Sequence, residues 1–259
     1  MLNLKKQKIS IITSVYNGQE FIQKTINSIA NQSYKNIEYI VIDGNSSDTT
    51  KNIIKQNISK ISTFISEDDS GIYDGLNKGF AKATGDIIGL LHSDDEFYDE
   101  NTIEDIAKIF EDDNISILYG NLIYTDKSGE KIVRNWISKP YQKGMISDGW
   151  MPAHPTLFVR KSVYERLGLY DGLFDKSFKI ASDYDLILRL FLLLEQENLS
   201  SYYLPKVITK MRLGGASNKS ISNIIHKTKD DINALSKNGI SPFKAILYKN
   251  FSKISQFFK

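Results

Sequence analysis

The sequence contains no cysteine, and this absence excludes several kinds of chemistry. Without thiols the chain has no disulfide bond, thiolate zinc site, iron–sulfur cluster or cysteine nucleophile. Proline is scarce, with five in 259 residues, and no apolar run approaches the ~20 residues that a membrane-spanning helix needs. A chain without cysteine is typical of a reducing compartment, so we expect a cytoplasmic protein.

Two common nucleotide-binding motifs are missing as well. No G-x-G-x-x-G follows the first apolar run, which disfavours a Rossmann dehydrogenase, and no G-x-x-x-x-G-K-[ST] occurs, which disfavours a P-loop NTPase. The opening MLNLKKQKISIITSVYNG has no A-x-A-like cleavage site and is typical of a first strand rather than a secretory signal. A nucleotide, if one binds, is held in another way.

Charge is nearly balanced overall but strongly segregated. The formal net charge is +2, from 33 basic and 31 acidic residues, yet residues 66–113 hold fifteen acidic and three basic side chains. Residues 206–259 hold eleven basic and two acidic ones. Most of these charges fit a solvated surface. An acidic middle repels phosphate, and no aromatic stacking platform is evident, so nucleic acid is not an expected partner.

The first half alternates β-rich and helical patterns. Ile- and Val-rich runs of strand length occupy residues 8–14, 37–43, 61–66 and 87–91, and helical spacing of apolar residues occupies 20–31, 48–57 and 71–83. Such alternation predicts βαβ units and an α/β fold with a mainly parallel central sheet flanked by helices.

The second half has a different rhythm. We predict helices over residues 101–110, 182–195 and 220–235, strands over 115–119 and 131–137, and a loop over 138–155. The chain then divides into a main domain, 1–217, and a C-terminal helical extension, 218–259. Residues 236–259 carry five lysines, no acidic residue and interleaved aromatic and aliphatic side chains. They predict a basic amphipathic helix, which either contacts an anionic membrane or packs on the domain.

Polar residues follow four consecutive predicted strands, at the edge where ligands bind in open α/β sheets. The four segments are TSVYNG, DGNSSD, EDDSG and HSDD, beginning at Thr13, Asp43, Glu67 and His92. Helix caps and turns explain some of these residues, Asp48 among them. Asp94 and Asp95 are harder to explain this way, because adjacent carboxylates repel each other unless a cation or donor compensates. Hard oxygen ligands suit Mg²⁺ or Mn²⁺.

Three further residues are open to two interpretations. Asp43 is either a turn former or an acceptor for ribose hydroxyls or a base N–H. His154, in a loop between two prolines, is either structural or functional. Asp183 and Asp185 begin a predicted helix, where the helix dipole favours carboxylates; Asp185 fits that explanation, whereas Asp183 is equally suited to act as a general base.

Taken together, five segments resemble family 2 of the glycosyltransferases. They are, in order, ISIITSVYNGQEFIQKTINSIANQSYKNIEYIVIDGNSSDTT, SEDDSGIYDGLNKGFAKATGDIIGLLHSDDEFY, PAHPTLFVRKSVYERLGLYD, ASDYDLILRL and RLGGAS. The resemblance implies a GT-A fold and an inverting transferase of bacterial polysaccharide synthesis. Such a transferase would move a sugar from a nucleoside-diphosphate sugar, with a UDP-sugar favoured, to a hydroxyl of a glycan or polyprenyl-diphosphate-linked saccharide. Peripheral attachment to the inner face of the plasma membrane would suit a lipid-linked acceptor.

The same resemblance implies roles for individual residues. It puts the nucleotide base near Thr13, Val15, Asn17 and Glu20, the base or ribose on Asp43, and the nucleotide beside Asp74 and Lys78. It assigns Asp94 to the ribose and metal shell and Asp95 to the Mg²⁺ or Mn²⁺ ion itself. Asp183 matches the catalytic base, His154 lies near the acceptor or diphosphate, and Arg212 with residues 214–217 forms a lid over the donor. His92 stands where the family often has Asp or Asn.

Two other functions remain open from the sequence. A sugar-nucleotide nucleotidylyltransferase is also an α/β, metal-dependent protein, although its glycine-rich basic phosphate loop is absent from SVYNGQE. A catalytically inactive GT-A-fold binding protein is the other alternative, and the intact carboxylates at Asp94, Asp95 and Asp183 disfavour it.

Overall fold

A nine-stranded sheet organises the computed structural model, which describes residues 6–169, 172–178, 180–213 and 221–254. The strand order is β3-β2-β1-β4-β8-β6-β9-β5, and β7 pairs with β6 outside this path. The strands are β1 (Ile9–Val15), β2 (Ile37–Asp43), β3 (Thr63–Ser66), β4 (Ile87–Leu90), β5 (Glu96–Phe97), β6 (Ile115–Thr125), β7 (Ile132–Trp136), β8 (Phe158–Arg160) and β9 (Ser200–Arg212).

Helices cover both faces of this sheet. They are α1 (Ile22–Ala30), α2 (Thr50–Gln56), α3 (Ile72–Lys82), α4 (Thr102–Ile109), α5 (Lys161–Arg166), α6 (Ser182–Gln196), α7 (Ile221–Lys237) and α8 (Pro242–Ile254), with short 3₁₀ helices at Ile58–Lys60 and His154–Thr156. None of the helices in the described part of the chain has the length and apolarity needed to cross a bilayer.

The first four strands are parallel, as the alternating pattern predicts. β1 pairs with β2 and β4, and β2 pairs with β3, all in parallel register. β1 is buried along its whole length, and Ile and Val occupy four of its seven positions on both faces rather than alternating strictly with polar residues. The mainly parallel α/β architecture is confirmed, and the predicted strands of this half differ from the observed ones by at most two residues at either end.

The second half of the sheet was predicted less completely. β6 continues six residues beyond the predicted end at Tyr119, and β5, β8 and β9 were not predicted. β5 and β8 are two and three residues long, too short for a periodic pattern. β9 contains Pro205 and several polar residues, and its pairing with β6 shows register shifts. Its β-branched and aromatic residues favour a strand, and its pairing with β6 stabilises that conformation across the proline.

The core consists of two hydrophobic clusters on opposite faces of the sheet. Ile11 belongs to one and its neighbour Ile12 to the other, as strand alternation requires. The cluster that contains Ile12 also includes Ala234, Leu235, Ile240 and Ala245, so α7 and α8 pack on the main core. The division into 1–217 and 218–259 stays a prediction, and its boundary lies outside the described residues.

Candidate functional site

Two adjoining cavities open at the carboxyl ends of the parallel strands. The larger has a volume of about 550 Å³, and its wall includes Tyr16, Asn45 and Asp69. The smaller, of about 250 Å³, is lined by His92, Asp94, His154 and Asp183, among others. Both walls share Ser14, Ile72 and Ser93, so the two cavities form one continuous crevice. Its position agrees with the rule for open α/β sheets.

Asp183 reaches the smaller cavity from the first turn of α6. Its neighbour Asp185 takes a different direction and is fully buried. The Asp185 carboxylate accepts hydrogen bonds from Arg189 Nε and Asn238 Nδ2, each at 2.9 Å. Of the two alternatives for this helix start, Asp185 is therefore structural, and Asp183 is the carboxylate that is available to a ligand.

Two imidazoles connect Asp183 to the opposite wall of the cavity. His154 Nδ1 lies 3.2 Å from Asp183 Oδ2, and His154 Nε2 lies 3.0 Å from His92 Nε2. The two rings meet at an interplanar angle of 66°. His154 is held at the start of a 3₁₀ helix whose second residue is Pro155, which stiffens the backbone there. His154 thus lies beside the predicted base, and its predicted place near the acceptor or the diphosphate stays a prediction.

Asp94 and Asp95 have contrasting environments. Asp94 is half-buried and lines the smaller cavity, whereas Asp95 is fully buried and is not part of either cavity wall. Neither Asp95 carboxylate oxygen accepts a side-chain hydrogen bond among the described residues, and Arg212, through its backbone N–H and its charge, is the group that favours the ionised form. Burial, and next the charge of Asp94, raise the pKa of the Asp95 carboxyl well above its usual range. Of the two predicted metal ligands, Asp94 is the one that lines the cavity, and the role of each stays a prediction.

The residues present fit a divalent cation that binds together with a nucleotide. In the described ranges, no group of three or more His, Cys, Asp or Glu side chains could hold a metal by itself. A magnesium ion in such a site usually takes one or two carboxylates, because phosphates and water complete its shell. Asp94 in the cavity wall supplies such a hard oxygen donor, and Asp95 is the next residue along the chain.

Arg212 stabilises the segment that contains Asp94 and does not line the crevice. Its buried guanidinium donates from Nη1 to the Asp94 carbonyl at 2.5 Å and from Nη2 to the Glu96 carboxylate, and it stacks over the Phe21 ring. It lines neither cavity of the crevice. A buried guanidinium needs such partners, which explains why it is turned away from the predicted diphosphate. Residues 214–217 of the expected lid lie outside the described residues.

The end of β1 and the residue after it present side chains to the crevice that differ from those expected. Side chains alternate between the two faces of a strand. Val15 packs into a hydrophobic cluster, and Thr13 is buried with its hydroxyl donated to the Leu91 carbonyl at 2.7 Å. Ser14 and Tyr16 line the crevice instead. A nucleotide base in the crevice would therefore meet the side chains of Ser14 and Tyr16. Each follows one of the expected residues, Thr13 and Val15, in the sequence.

The side chains of three other predicted nucleotide contacts form hydrogen bonds or ion pairs with other residues of the protein. The Asn17 side-chain oxygen accepts from the Ser47 backbone N–H at 2.9 Å and ties the first two strand-end loops together. Glu20 is exposed and pairs with Lys127 at 2.8 Å. Asp43 is fully buried, and its carboxylate accepts from the hydroxyls of residues in the adjacent loop and strand, Ser46 and Ser66. For Asp43 this geometry favours the turn-forming alternative.

Asp74 and Lys78 lie on α3 but outside both cavity walls. Asp74 accepts from the Ser70 backbone N–H at 3.1 Å, which is the main reason that its pKa is lowered, and it pairs with Lys176 at 3.0 Å. Lys78 pairs with Glu67 at 2.9 Å, and this contact raises the lysine pKa. Their roles in nucleotide binding stay predictions.

Several crevice residues escaped the sequence reasoning. Tyr73 lines the smaller cavity, donates its hydroxyl to the Ile180 carbonyl at 2.5 Å and accepts from the Ser182 N–H at 3.3 Å. It thereby fixes the start of α6 beside Asp183. Asn45 and Asp69 line the larger cavity. Their positions within the polar strand-end segments were a usable signal, whereas nothing in the sequence indicates that Tyr73 reaches residues more than a hundred positions away.

A crevice lined by carboxylates at the carboxyl end of this sheet is the arrangement of the GT-A class of nucleotide-sugar transferases. Solved structures of that class match the fold. S. aureus TarS 1-349 in complex with UDP-GlcNAc matches with a TM-score of 0.68 at 18% identity, covering 95% of this chain and 73% of that one. The Pyrobaculum calidifontis mannosyltransferase PcManGT in complex with GDP-Man and Mn²⁺ matches with a TM-score of 0.66 at 18% identity, covering 95% and 69%.

Sequence comparison gives the family. The family model described as Glycosyl transferase family 2 matches residues 10–168, and the chain belongs to this family. The Mycobacterium tuberculosis glycosyltransferase Rv1514c is 31% identical over 193 residues, 72% of this chain and 70% of that protein. The putative glycosyltransferase EpsE of Bacillus subtilis is 28% identical over 209 residues, 79% of this chain and 73% of that protein. The predicted family and fold are confirmed, and glycosyl transfer is the activity they support.

Proposed function

We propose that the protein transfers a sugar from a nucleoside-diphosphate sugar to a hydroxyl of a glycan or lipid-linked saccharide, with inversion at the anomeric carbon. The observation that carries the proposal is that Asp94 and Asp183 line one small cavity that opens into a larger one. A nucleotide in the larger cavity would direct its diphosphate and sugar into the smaller one. The combined size suits a ligand of this class.

Asp183 is the base in this proposal. It takes the proton of the acceptor hydroxyl while that oxygen forms a bond to the anomeric carbon, and the bond from that carbon to the diphosphate oxygen breaks. The nucleoside diphosphate leaves with the bonding electrons, and attack from the opposite face inverts the configuration. The Tyr73 contacts at the start of α6 and the His154 contact with the carboxylate orient this base.

Mg²⁺ or Mn²⁺ would be held by Asp94, with Asp95 behind it, and would offset negative charge on the leaving diphosphate. Such compensation is needed because Asp68, Asp69, Asp94 and Asp183 all line the crevice. The Mn²⁺ and GDP-Man of the Pyrobaculum mannosyltransferase support a cation and a nucleotide sugar here. The UDP-GlcNAc of S. aureus TarS supports a UDP-sugar as the first donor to test.

The test is calorimetric binding of UDP, dTDP and GDP, each with and without Mn²⁺. We expect one nucleotide to bind at least about tenfold more tightly with the ion, a difference of about 1.4 kcal/mol. Asp94→Asn should lose this difference, because it removes the carboxylate in the cavity wall. Asp95→Asn belongs in the same series, since it decides whether the buried carboxylate is also a metal ligand.

The matched control is Asp113→Asn, which changes a carboxylate that is 91% exposed, pairs with Arg160 and lines neither cavity. It should bind nucleotide and ion as the wild type does. If no nucleotide binds to folded wild-type protein, the inactive-fold alternative is preferred. If a nucleotide binds equally with and without metal, the cation part of the proposal is wrong.

We also propose that α8 attaches the protein to an anionic membrane. Phe243 and Leu247, one helical turn apart, are 80% and 46% exposed, and Tyr248 beside them is also exposed. Lys139 Nζ lies 3.5 Å from the Tyr248 hydroxyl, and Lys244, which follows Phe243, pairs with Asp148 at 2.6 Å. An exposed apolar row beside lysines fits interfacial binding to acidic lipid. This would place the enzyme at the cytoplasmic face of the membrane, next to a lipid-linked acceptor.

Cosedimentation with vesicles tests this attachment. The wild type should sediment with vesicles containing phosphatidylglycerol and not with phosphatidylcholine alone, and the double variant Phe243→Ser/Leu247→Ser should lose binding. Point substitutions are preferable to truncation, because Ile240 and Ala245 are part of the core. Ile58→Ser, at a 50% exposed site on another element, is the control and should bind normally. Equal sedimentation of wild type and double variant would refute the attachment.

A further inference from the structure

The hydrogen bond between His92 and His154 requires a single proton between their two facing nitrogen atoms. Their Nε2 atoms are 3.0 Å apart, which is hydrogen-bond distance. Two N–H groups would collide there, and two lone pairs would repel each other. One ring must therefore donate from Nε2 and the other accept at Nε2. Neither the sequence motif nor the family match says which ring is the donor.

The other nitrogen of His154 decides between the two arrangements. His154 Nδ1 faces Asp183 Oδ2 at 3.2 Å. Under the proposed function Asp183 is ionised before it takes a proton, so its oxygen requires a donor at Nδ1. A neutral imidazole carries a single N–H. If that N–H is on Nδ1, then His154 Nε2 is an acceptor, and the shared proton comes from His92.

We infer that His92 is a positioning residue, whose Nε2–H holds His154 in the tautomer that donates Nδ1–H to Asp183. The hydrogen bonds then run in one direction, from His92 to His154 to Asp183. Oδ2 of the catalytic carboxylate is occupied by the imidazole, so Oδ1 is the oxygen that receives the proton of the acceptor hydroxyl. This deepens the proposed function and rests on it for the ionised state of Asp183.

The surroundings of the pair support a fixed geometry. His92 comes just after β4, and His154 begins the 3₁₀ helix that precedes β8, the strand paired with β4. The sheet therefore holds the two rings together although they are 62 residues apart in sequence. An imidazole at position 92 can donate to His154 in a way that an Asp carboxylate could not. This gives a reason for histidine rather than Asp at this position.

The direct test is nitrogen-15 NMR of the side chains in the ligand-free protein. The chain has only three histidines, and His226 is exposed, so it serves as an internal reference. We expect His92 in the Nε2–H form and His154 in the Nδ1–H form at neutral pH. His92→Leu removes the donor to His154 Nε2, so the fraction of His154 in the Nδ1–H form should fall, while the Asp183 carboxylate still favours that form. His154 found in the Nε2–H form, or doubly protonated, would overturn the inference.

Kinetics give the second readout. His92→Leu should lower kcat by about 10- to 100-fold, the usual effect of losing a residue that orients a functional imidazole, with the KM for the donor little changed. His92→Gln, whose amide can still donate to His154 Nε2, should recover most of the loss. If both variants are folded and equally impaired, or if His92→Leu keeps the wild-type kcat, His92 has no positioning role. The NMR result needs no substrate, so failure of sugar transfer in the wild type would count against the proposed function alone.

Discussion

Replacing Asp183 by Asn is expected to lower kcat for sugar transfer by a factor of about 10² to 10⁴, the range for loss of a general base. The amide keeps the size of the side chain and can still accept a hydrogen bond from His154, but it cannot take the proton of the acceptor hydroxyl. Nucleotide affinity should change little, because the proposed metal and diphosphate contacts lie at Asp94 on the opposite wall. Single-turnover transfer with the donor chosen by calorimetry measures the effect.

Asp185→Asn is the matched comparison, two residues further along the same helix. Asp185 is fully buried and bonded to Arg189 and Asn238, so this change should lower the melting temperature and leave kcat of the folded protein near the wild-type value. The proposed role of Asp183 is wrong if Asp183→Asn retains wild-type turnover, or if Asp185→Asn is the variant that loses it.

Glu38→Gln is expected to lower the free energy of unfolding at pH 7 by up to about 3 kcal/mol. Glu38 lies on β2 and is 8% exposed. Its carboxylate accepts from Lys8 Nζ at 2.7 Å, Ser10 Oγ at 2.6 Å, and both the hydroxyl and the backbone N–H of Thr84, at 2.6 and 2.7 Å. The carboxylate thereby joins the amino-terminal ends of β1 and β2 to the turn before β4.

The size of this effect comes from the Glu38 pKa. Burial by itself would raise it, but the hydrogen bonds from Lys8, Ser10 and Thr84 outweigh burial and lower it from 4.5 to about 2. One pKa unit corresponds to about 1.4 kcal/mol, and partial exposure of Lys8 makes the total an upper limit. Because the folded-state pKa is the lower one, this stabilisation is present above about pH 4.5. It is lost as the pH falls towards 2.

Urea unfolding at pH 7, 5 and 3 measures this dependence. The difference between wild type and Glu38→Gln should be largest at pH 7, nearly as large at pH 5 and smaller at pH 3. Glu130→Gln, at an exposed site, should match the wild type within about 0.5 kcal/mol at each pH. A difference that does not vary with pH would show that Glu38 acts through packing rather than through its charge.

Much of the fold and the location of the site could be predicted from local sequence patterns. Continuous Ile- and Val-rich runs between amphipathic segments predicted the parallel strands, and β2 was predicted residue for residue. The polar segments after the strands predicted where the crevice lies, because parallel strands bring their carboxyl ends to one edge. The predicted helix at 182–195 also placed Asp183 in its first turn, where the structure has it.

The identity of the side chains that face the crevice was harder to predict. In β1 a shift of one residue exchanges the two faces, so Ser14 and Tyr16 line the cavity where Thr13 and Val15 were expected. Asp94 and Asp95 are equivalent as a sequence motif, yet only Asp94 reaches the cavity. Pro205 interrupts the strand-forming residues of β9, and the strand pairs along its length with β6.

The sequence alone therefore determined the order of strands and helices in the first half of the chain, the acidic character of the crevice and the family, because periodicity and ordered motifs are properties of short segments. The tertiary structure decided which carboxylate is buried, how α7 and α8 share the main core, and that His92, His154 and Asp183 meet. Those outcomes depend on the packing of residues that are distant in the chain, and that packing selects one face, one rotamer and one partner from the several that each local segment allows.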